Sequence, residues 1–208
     1  MKRSLILTIG LLFSGFTLSH AQTSENKWEF ENKHFLGSQV FMLFANYTFD
    51  PSPEYYEINY GYRFSSRDEI SIELKTWAYQ GPLGRPYGSD YESASSGFPG
   101  DIKATGGGLA YKRMLWKGVF TQLHVTGFHQ TYRDENKKKI QSGFQLFNTL
   151  RFGYHIKLFK NKRLFFAPSI AFTTWPINTN LPESFQIEED KWPSYFLFEP
   201  GFQFGYAF

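Results

Sequence analysis

Phe202-Gln203-Phe204-Gly205-Tyr206-Ala207-Phe208 puts an aromatic ring at every second position, with Gln, Gly and Ala between the rings. A period of two residues is that of a β-strand with two unlike faces. On a soluble domain a free apolar edge invites aggregation. A closing strand of this kind therefore predicts that its aromatic face meets something other than water.

The other end of the chain predicts an export route. Lys2 and Arg3 form a positive region, Leu5 to Leu18 an apolar one, and Ser19-His20-Ala21 a small-x-small cleavage site. This is the pattern of a secretory signal peptide over 1–21, followed by a polar periplasmic lead over 22–33 and a single domain over 34–208. The chain has no Cys, which excludes a disulfide framework and a lipid-bearing Cys. Residues 1–21 carry two basic residues and no acid, so their removal takes the formal charge from +3 to +1. A charge this small argues against nucleic acid as a partner.

Aromatics make up 20% of the residues, yet the mean hydropathy is −0.40. After the leader the longest apolar run is Val40 to Ala45, far short of the roughly 20 residues of a membrane helix. Many rings at low mean hydropathy suit strands that are apolar on one face only. Eight strand-like segments are expected, over 35–49, 55–64, 69–79, 102–116, 119–132, 139–158, 164–175 and 195–208. Most exceed the roughly 9–11 residues that a tilted strand needs to cross a bilayer. In the sixth, Phe144, Leu146, Leu150, Phe152 and Tyr154 oppose Gln145, Thr149, Arg151, Gly153 and His155. In the second, Tyr56, Ile58, Tyr60, Tyr62 and Phe64 oppose Glu57, Asn59, Gly61 and Arg63. The first segment is apolar on both faces over 40–45, which leaves its register open.

Alternation does not say which face points inward. The terminal strand favours apolar residues outward, and so do connections that alternate between tight (65–68, 117–118, 159–163) and longer (50–54, 80–101, 133–138, 181–193). That is the order of an all-β, eight-stranded antiparallel up-and-down transmembrane barrel with both termini periplasmic.

With the leader, the alternating segments and the ending Phe202-x-Phe204-x-Tyr206-x-Phe208, the chain resembles small bacterial outer-membrane barrels of the OmpA transmembrane-domain and OmpX class. The resemblance implies residence in the outer membrane of a Gram-negative cell, contact with its lipids and lipopolysaccharide, and insertion by the outer-membrane assembly machinery. Phe202, Phe204, Tyr206 and Phe208 would be the signal which that machinery reads. Architecture alone does not choose a function. The first expectation is a non-enzymatic structural or interaction role in the cell envelope, borne by loops 80–101 and 177–194, with an envelope protein as partner. The alternatives are a lipid A deacylase-like enzyme at the outer rim and a narrow channel.

The residues that could carry such roles are few. Arg63, Glu73, Lys75, Glu57, Arg151 and Glu199, with Lys112, fall on inward faces and are expected to form ion pairs, since an interior charge is costly unpaired. A tight turn at 65–68 would set Arg63 opposite Ser71 and Gly61 opposite Glu73, with Arg63 and Glu73 as diagonal neighbours and Gly61 leaving them room. His129 shares the outward face with Leu123 and Val125. A turn at 134–138 would bring it near Ser142, the base and nucleophile that a deacylase needs. His124 and His155 fall on polar faces. No zinc-ligand spacing occurs, and neither metal nor cofactor is expected. Trp77, Tyr79, Tyr111, Trp116, Tyr132, Tyr154 and Trp175 are expected in two interfacial girdles.

Overall fold

Two-residue alternation becomes strand wherever backbone donors can be matched, and it stops where a proline or a misplaced side chain prevents the match. The computed structural model describes residues 29–48, 52–85 and 97–208. The expected signal peptide 1–21, the start of the lead and the centre of loop 80–101 lie outside the described residues. The elements are β1 (His34–Gln39), α1 (Val40–Thr48), β2 (Tyr56–Arg63), β3 (Asp68–Tyr79), β4 (Asp101–Trp116), β5 (Val119–Arg133), β6 (Lys139–Tyr154), β7 (Ile156–Leu158), β8 (Leu164–Asn178), α2 (Glu183–Glu189) and β9 (Tyr195–Ala207).

All strand pairings are antiparallel, in a nine-stranded sheet ordered β6-β5-β4-β3-β2-β1-β9-β8-β7. β8 also pairs with β6, so the hydrogen bonding runs ring-like, as it does in a β-barrel. The first and last strands close on each other as expected. Phe35 lies opposite Ala207 and Gln39 opposite Gln203. His34 and Phe208 exchange backbone hydrogen bonds of 3.0 and 2.9 Å. Connections at the end where the chain enters β1, here the lower end, span five residues at most, and those at the upper end span five or more.

Three expectations are corrected. Segment 139–158 is two strands, which makes nine rather than eight; from Asn148 on, β6 and β7 keep one register against β8 and form one stave of the ring. Pro168 of β8 falls opposite Tyr154 in that register, and its missing N–H removes a ladder bond where β6 ends. Segment 35–49 is strand only to Gln39 and then helix α1. The connection 177–194 contains the short helix α2, which packs Phe185 into the upper end.

The end of β1 has a definite cause. Alternate residues of β9 turn their backbone toward β1, as Phe208 does toward His34 and as Phe202 does toward the side chain of Gln39 (2.9 Å). The next such position is Pro200, which has no N–H to give. Beyond it Phe198 forms a bulge with φ of 60°. A continued strand would also carry residues 41, 43 and 45 inward among charged groups. Residues 40–48 satisfy their backbone as a helix instead. Two side chains finish the ladder: Gln39 Oε1 accepts from Phe202 N–H, and Ser38 Oγ donates to the Glu57 carbonyl at 2.7 Å.

The polarity of the ring is inverted relative to a soluble protein. Ile58, Ile72, Leu74, Leu109, Val125, Phe152 and Ile170 are all exposed on the outer face. Glu57, Glu69, Glu73, Lys112, Gln122, His124 and Arg151 are buried inside.

Candidate functional site

Eight staves enclose an interior just wide enough for side chains to fill it, and here they fill it in layers. The inner face of β5 reads upward as Phe120, Gln122, His124, Thr126, Phe128, Gln130 and Tyr132, every one of them buried. Bulky rings find room over glycine on neighbouring staves. A Cβ on Gly61 would meet the Phe35 ring at 2.0 Å, and one on Gly205 would meet Phe165 at 2.3 Å. The space at Gly61 thus serves Phe35 and not an Arg63–Glu73 contact.

At the lower end Arg63 faces Glu69, with Nε and Oε2 3.1 Å apart, and Lys112 Nζ takes the other carboxylate oxygen at 2.7 Å. The expected pairing of Arg63 with Glu73 does not form. The ladder runs Arg63↔Glu69 and Gly61↔Ser71, two residues out of the expected register. Phe64 and Ser65 both give their N–H to the Asp68 carbonyl, at 3.1 and 3.4 Å, and that places Glu69 directly after the turn. Residues 29–33 close this end from below. Phe30 lies under the Arg63 guanidinium, 4.2 Å from its ring centroid, and packs on Met114, Phe120 and Ala167.

Midway up lies a layer of charge. Lys75 Nζ is 2.8 Å from Glu73 and 3.5 Å from Glu57, while Arg151 Nη2 is 2.9 Å from Glu199. The Thr173 hydroxyl donates to Glu199 at 2.6 Å, and the Tyr55 hydroxyl donates to Glu57. His124 Nδ1 lies 2.8 Å from Glu73 Oε1 without the angle that a hydrogen bond needs, and its Nε2 has no hydrogen-bond partner among the described residues. Five of the seven expected interior charges (Glu57, Glu73, Lys75, Arg151 and Glu199) therefore meet here, joined by His124, while Arg63 and Lys112 belong to the lower cluster. Gly106 and Gly108 face this level, opposite Lys75 and Glu73, and let β5 approach closely: a Cβ on them would meet Gly127 O at 2.0 Å and Val125 O at 2.5 Å.

Above the charges the interior turns aromatic again. Phe147 contacts Phe128 at 5.4 Å, Trp175 at 5.5 Å and Trp77 at 6.3 Å between ring centroids. Next comes a neutral polar level, in which Gln130 donates to Tyr79 (2.8 Å) and to Gln145 (2.9 Å). Phe98, Ile102, Tyr132 and Phe185 close the top. Trp77, Tyr79, Tyr132 and Trp175 are thus interior groups rather than girdle residues. Tyr111, Trp116 and Tyr154 do lie on the outer face, toward the lower end.

The expected His129–Ser142 pair is not brought together. His129 lies opposite Phe144, and Ser142 lies opposite Thr131. The bulge between Tyr132 and Arg133 shifts the register, so the two residues share the outer face only as diagonal neighbours. Among the described residues no group of three His, Asp or Glu is arranged to hold a metal ion.

Alternation marks all the interior charges, yet it passes over Glu69 and His124 as partners in them. Their signal, inward parity on β3 and β5, was present in the sequence; what was missing was the register between staves.

Comparison with protein-family models, with curated proteins and with solved structures returns no match.

Proposed function

We propose that the ring is a transmembrane β-barrel of a bacterial outer membrane, and that it serves as a non-enzymatic structural or interaction element of the envelope. The observation that carries this reading is the inverted polarity. An outer wall of exposed Ile, Leu, Val, Phe and Tyr around a buried layer of ion pairs is unstable in water and stable in lipid. The role of the closing strand as an assembly signal, and the lipopolysaccharide around the rim, belong to the same proposal.

Two observations support a non-conducting, non-catalytic role over its alternatives. The charge layer lies between aromatic layers, and among the described residues Phe30 below and Phe98 with Phe185 above pack across the ends, which argues against a polar path along the axis. His129 and Ser142 are two residues out of register for a base and its nucleophile.

The chain lacks Cys, so single cysteines report cleanly on their own positions. A fluorophore on Leu74→Cys or Leu109→Cys, in vesicles containing brominated lipid, should be quenched, while one on the exposed hairpin residue Glu135→Cys should stay bright. Equal quenching at all three positions would refute the transmembrane placement. Vesicles loaded with the protein should show no conductance steps above background.

A further inference from the structure

Between β2 and β9 no strand among the described residues completes the upper wall of the ring. β1 ends at Gln39, whereas β9 continues upward through Tyr195–Phe202 and β2 through Tyr56–Ile58. The free edge of β9 carries Pro200 and the Phe198 bulge, the two devices that keep a strand from pairing. Gln39 and Ser38 finish the ladder on either side of the break. Helix α1 bridges the gap: it packs beside β9 and is tied to the start of β2 by Asn46, which exchanges two hydrogen bonds of 2.7 Å with the Tyr55 backbone.

The break stands at the height of the charge layer. Glu199 belongs to the unpartnered half of β9, and its side chain remains 37% exposed although its partner Arg151 is only 8% exposed. Tyr55, at the opposite edge, reaches Glu57. Behind them Glu57 Oε1 and Asn59 Oδ1 are acceptors with no hydrogen-bond partner among the described residues, on residues only 7% and 1% exposed. Glu57, Glu73 and Glu199 face two permanent cations, Lys75 and Arg151, so the mouth presents carboxylate and free acceptors. Outside the break Phe44, Leu197 and Phe198 are exposed and apolar.

We infer that the break between β2 and β9 is a side portal which admits the head of an amine-bearing phospholipid to the charge layer. This rests on the membrane-spanning reading above. The ammonium group, a donor with three hydrogens, meets the Glu199 carboxylate and the free acceptors of Glu57 and Asn59. The phosphate is met by Lys75 and Arg151, and the acyl chains lie along α1 and the outer face of β9. A choline head, with no N–H, cannot donate to these acceptors. A glycerol head adds no positive charge to offset the carboxylates.

The test uses the full chain folded into nanodiscs that contain equal amounts of phosphatidylethanolamine, phosphatidylcholine and phosphatidylglycerol. After mild detergent extraction, native mass spectrometry reads which lipids stay bound. The expected result is one phosphatidylethanolamine per chain, retained about tenfold over either other lipid, a ratio that a single charge-assisted contact supplies. Glu199→Gln should reduce that ratio severalfold while its heat-shifted gel band stays that of the unmodified protein. Equal retention of all three lipids by the unmodified protein, or preference for phosphatidylglycerol, overturns the inference without need of a variant. Undiminished preference in a folded Glu199→Gln protein overturns it as well. Quenching at Leu74 and Leu109 together with no lipid preference would sink the portal alone and leave the transmembrane reading standing.

Discussion

Glu69 is a single carboxylate that holds two cations, Arg63 and Lys112, and all three are nearly inaccessible. Replacing it by Gln keeps the shape but leaves two buried charges short of a partner. Removing one member of a buried pair typically costs about 3–5 kcal/mol. Glu69→Gln should therefore lower the urea midpoint in lipid vesicles by a corresponding amount, and an unchanged midpoint would mean that the pair is solvated.

Glu189 sits on α2, outside the strands of the ring, and accepts from Trp175 Nε1 at 3.0 Å. Its burial raises its pKa above the usual carboxylate value, against the Trp175 bond that lowers it. The folded form therefore holds its proton more tightly than the unfolded form does, so the stability this group contributes is complete below its unfolded value. That stability is lost as the pH rises through the folded value. Protection factors of the amides over residues 183–190, which remove the intrinsic rise of exchange with pH, should accordingly be higher at acidic than at neutral pH, and Glu189→Gln should flatten the difference. Lower protection in acid would contradict the sign.

At the scale of elements, the contest over residues 40–48 is between strand and helix. Val40, Leu43 and Phe44 look like strand residues, and nothing in the segment itself ends β1 at Gln39. The ending is imposed by a residue far along the chain, Pro200, and by the charged interior that inward residues would meet. Replacing Pro200 by Val and Leu43 by Thr restores the donor and removes one of the apolar side chains that would turn inward. This pair of changes should convert part of α1 to strand, read as new slow-exchanging amides at 40–44 and a loss of helical circular dichroism. Retention of the helix would show that the Phe198 bulge alone keeps the edge open. β6 and β7 teach the same lesson, since the alternation runs on from Leu150 to Leu158 and Pro168 on β8 divides it.

At the scale of the whole molecule, outward positions should differ by depth. Ile72 lies in the apolar belt between Tyr60 and Leu109, whereas His129 lies toward the upper rim beside Thr105. A Lys at the midplane of a bilayer costs about 2–4 kcal/mol, and one near the interface about 0–1 kcal/mol. Ile72→Lys should therefore destabilise the protein in vesicles by the larger amount and His129→Lys by the smaller, as measured by urea unfolding. Equal costs would mean that the belt does not lie across a bilayer.

Much of this was legible in the chain alone. A period of two residues makes strands with two unlike faces, and a ring of such strands is the only arrangement that leaves no edge. The same parity put Glu57, Glu73, Lys75, Arg151 and Glu199 on the inner face and led the closing strand Phe202 to Phe208 to pair with β1 from Phe35. Tertiary structure decided the rest, because register is a relation between strands and parity is not. A turn two residues different at 65–68 gives Arg63 to Glu69 and leaves Glu73 to Lys75 and His124. A bulge at Tyr132 separates His129 from Ser142. A proline contributes its missing N–H to whichever neighbour the ring places beside it, so Pro168 and Pro200 acquired their consequences only once the ring had closed.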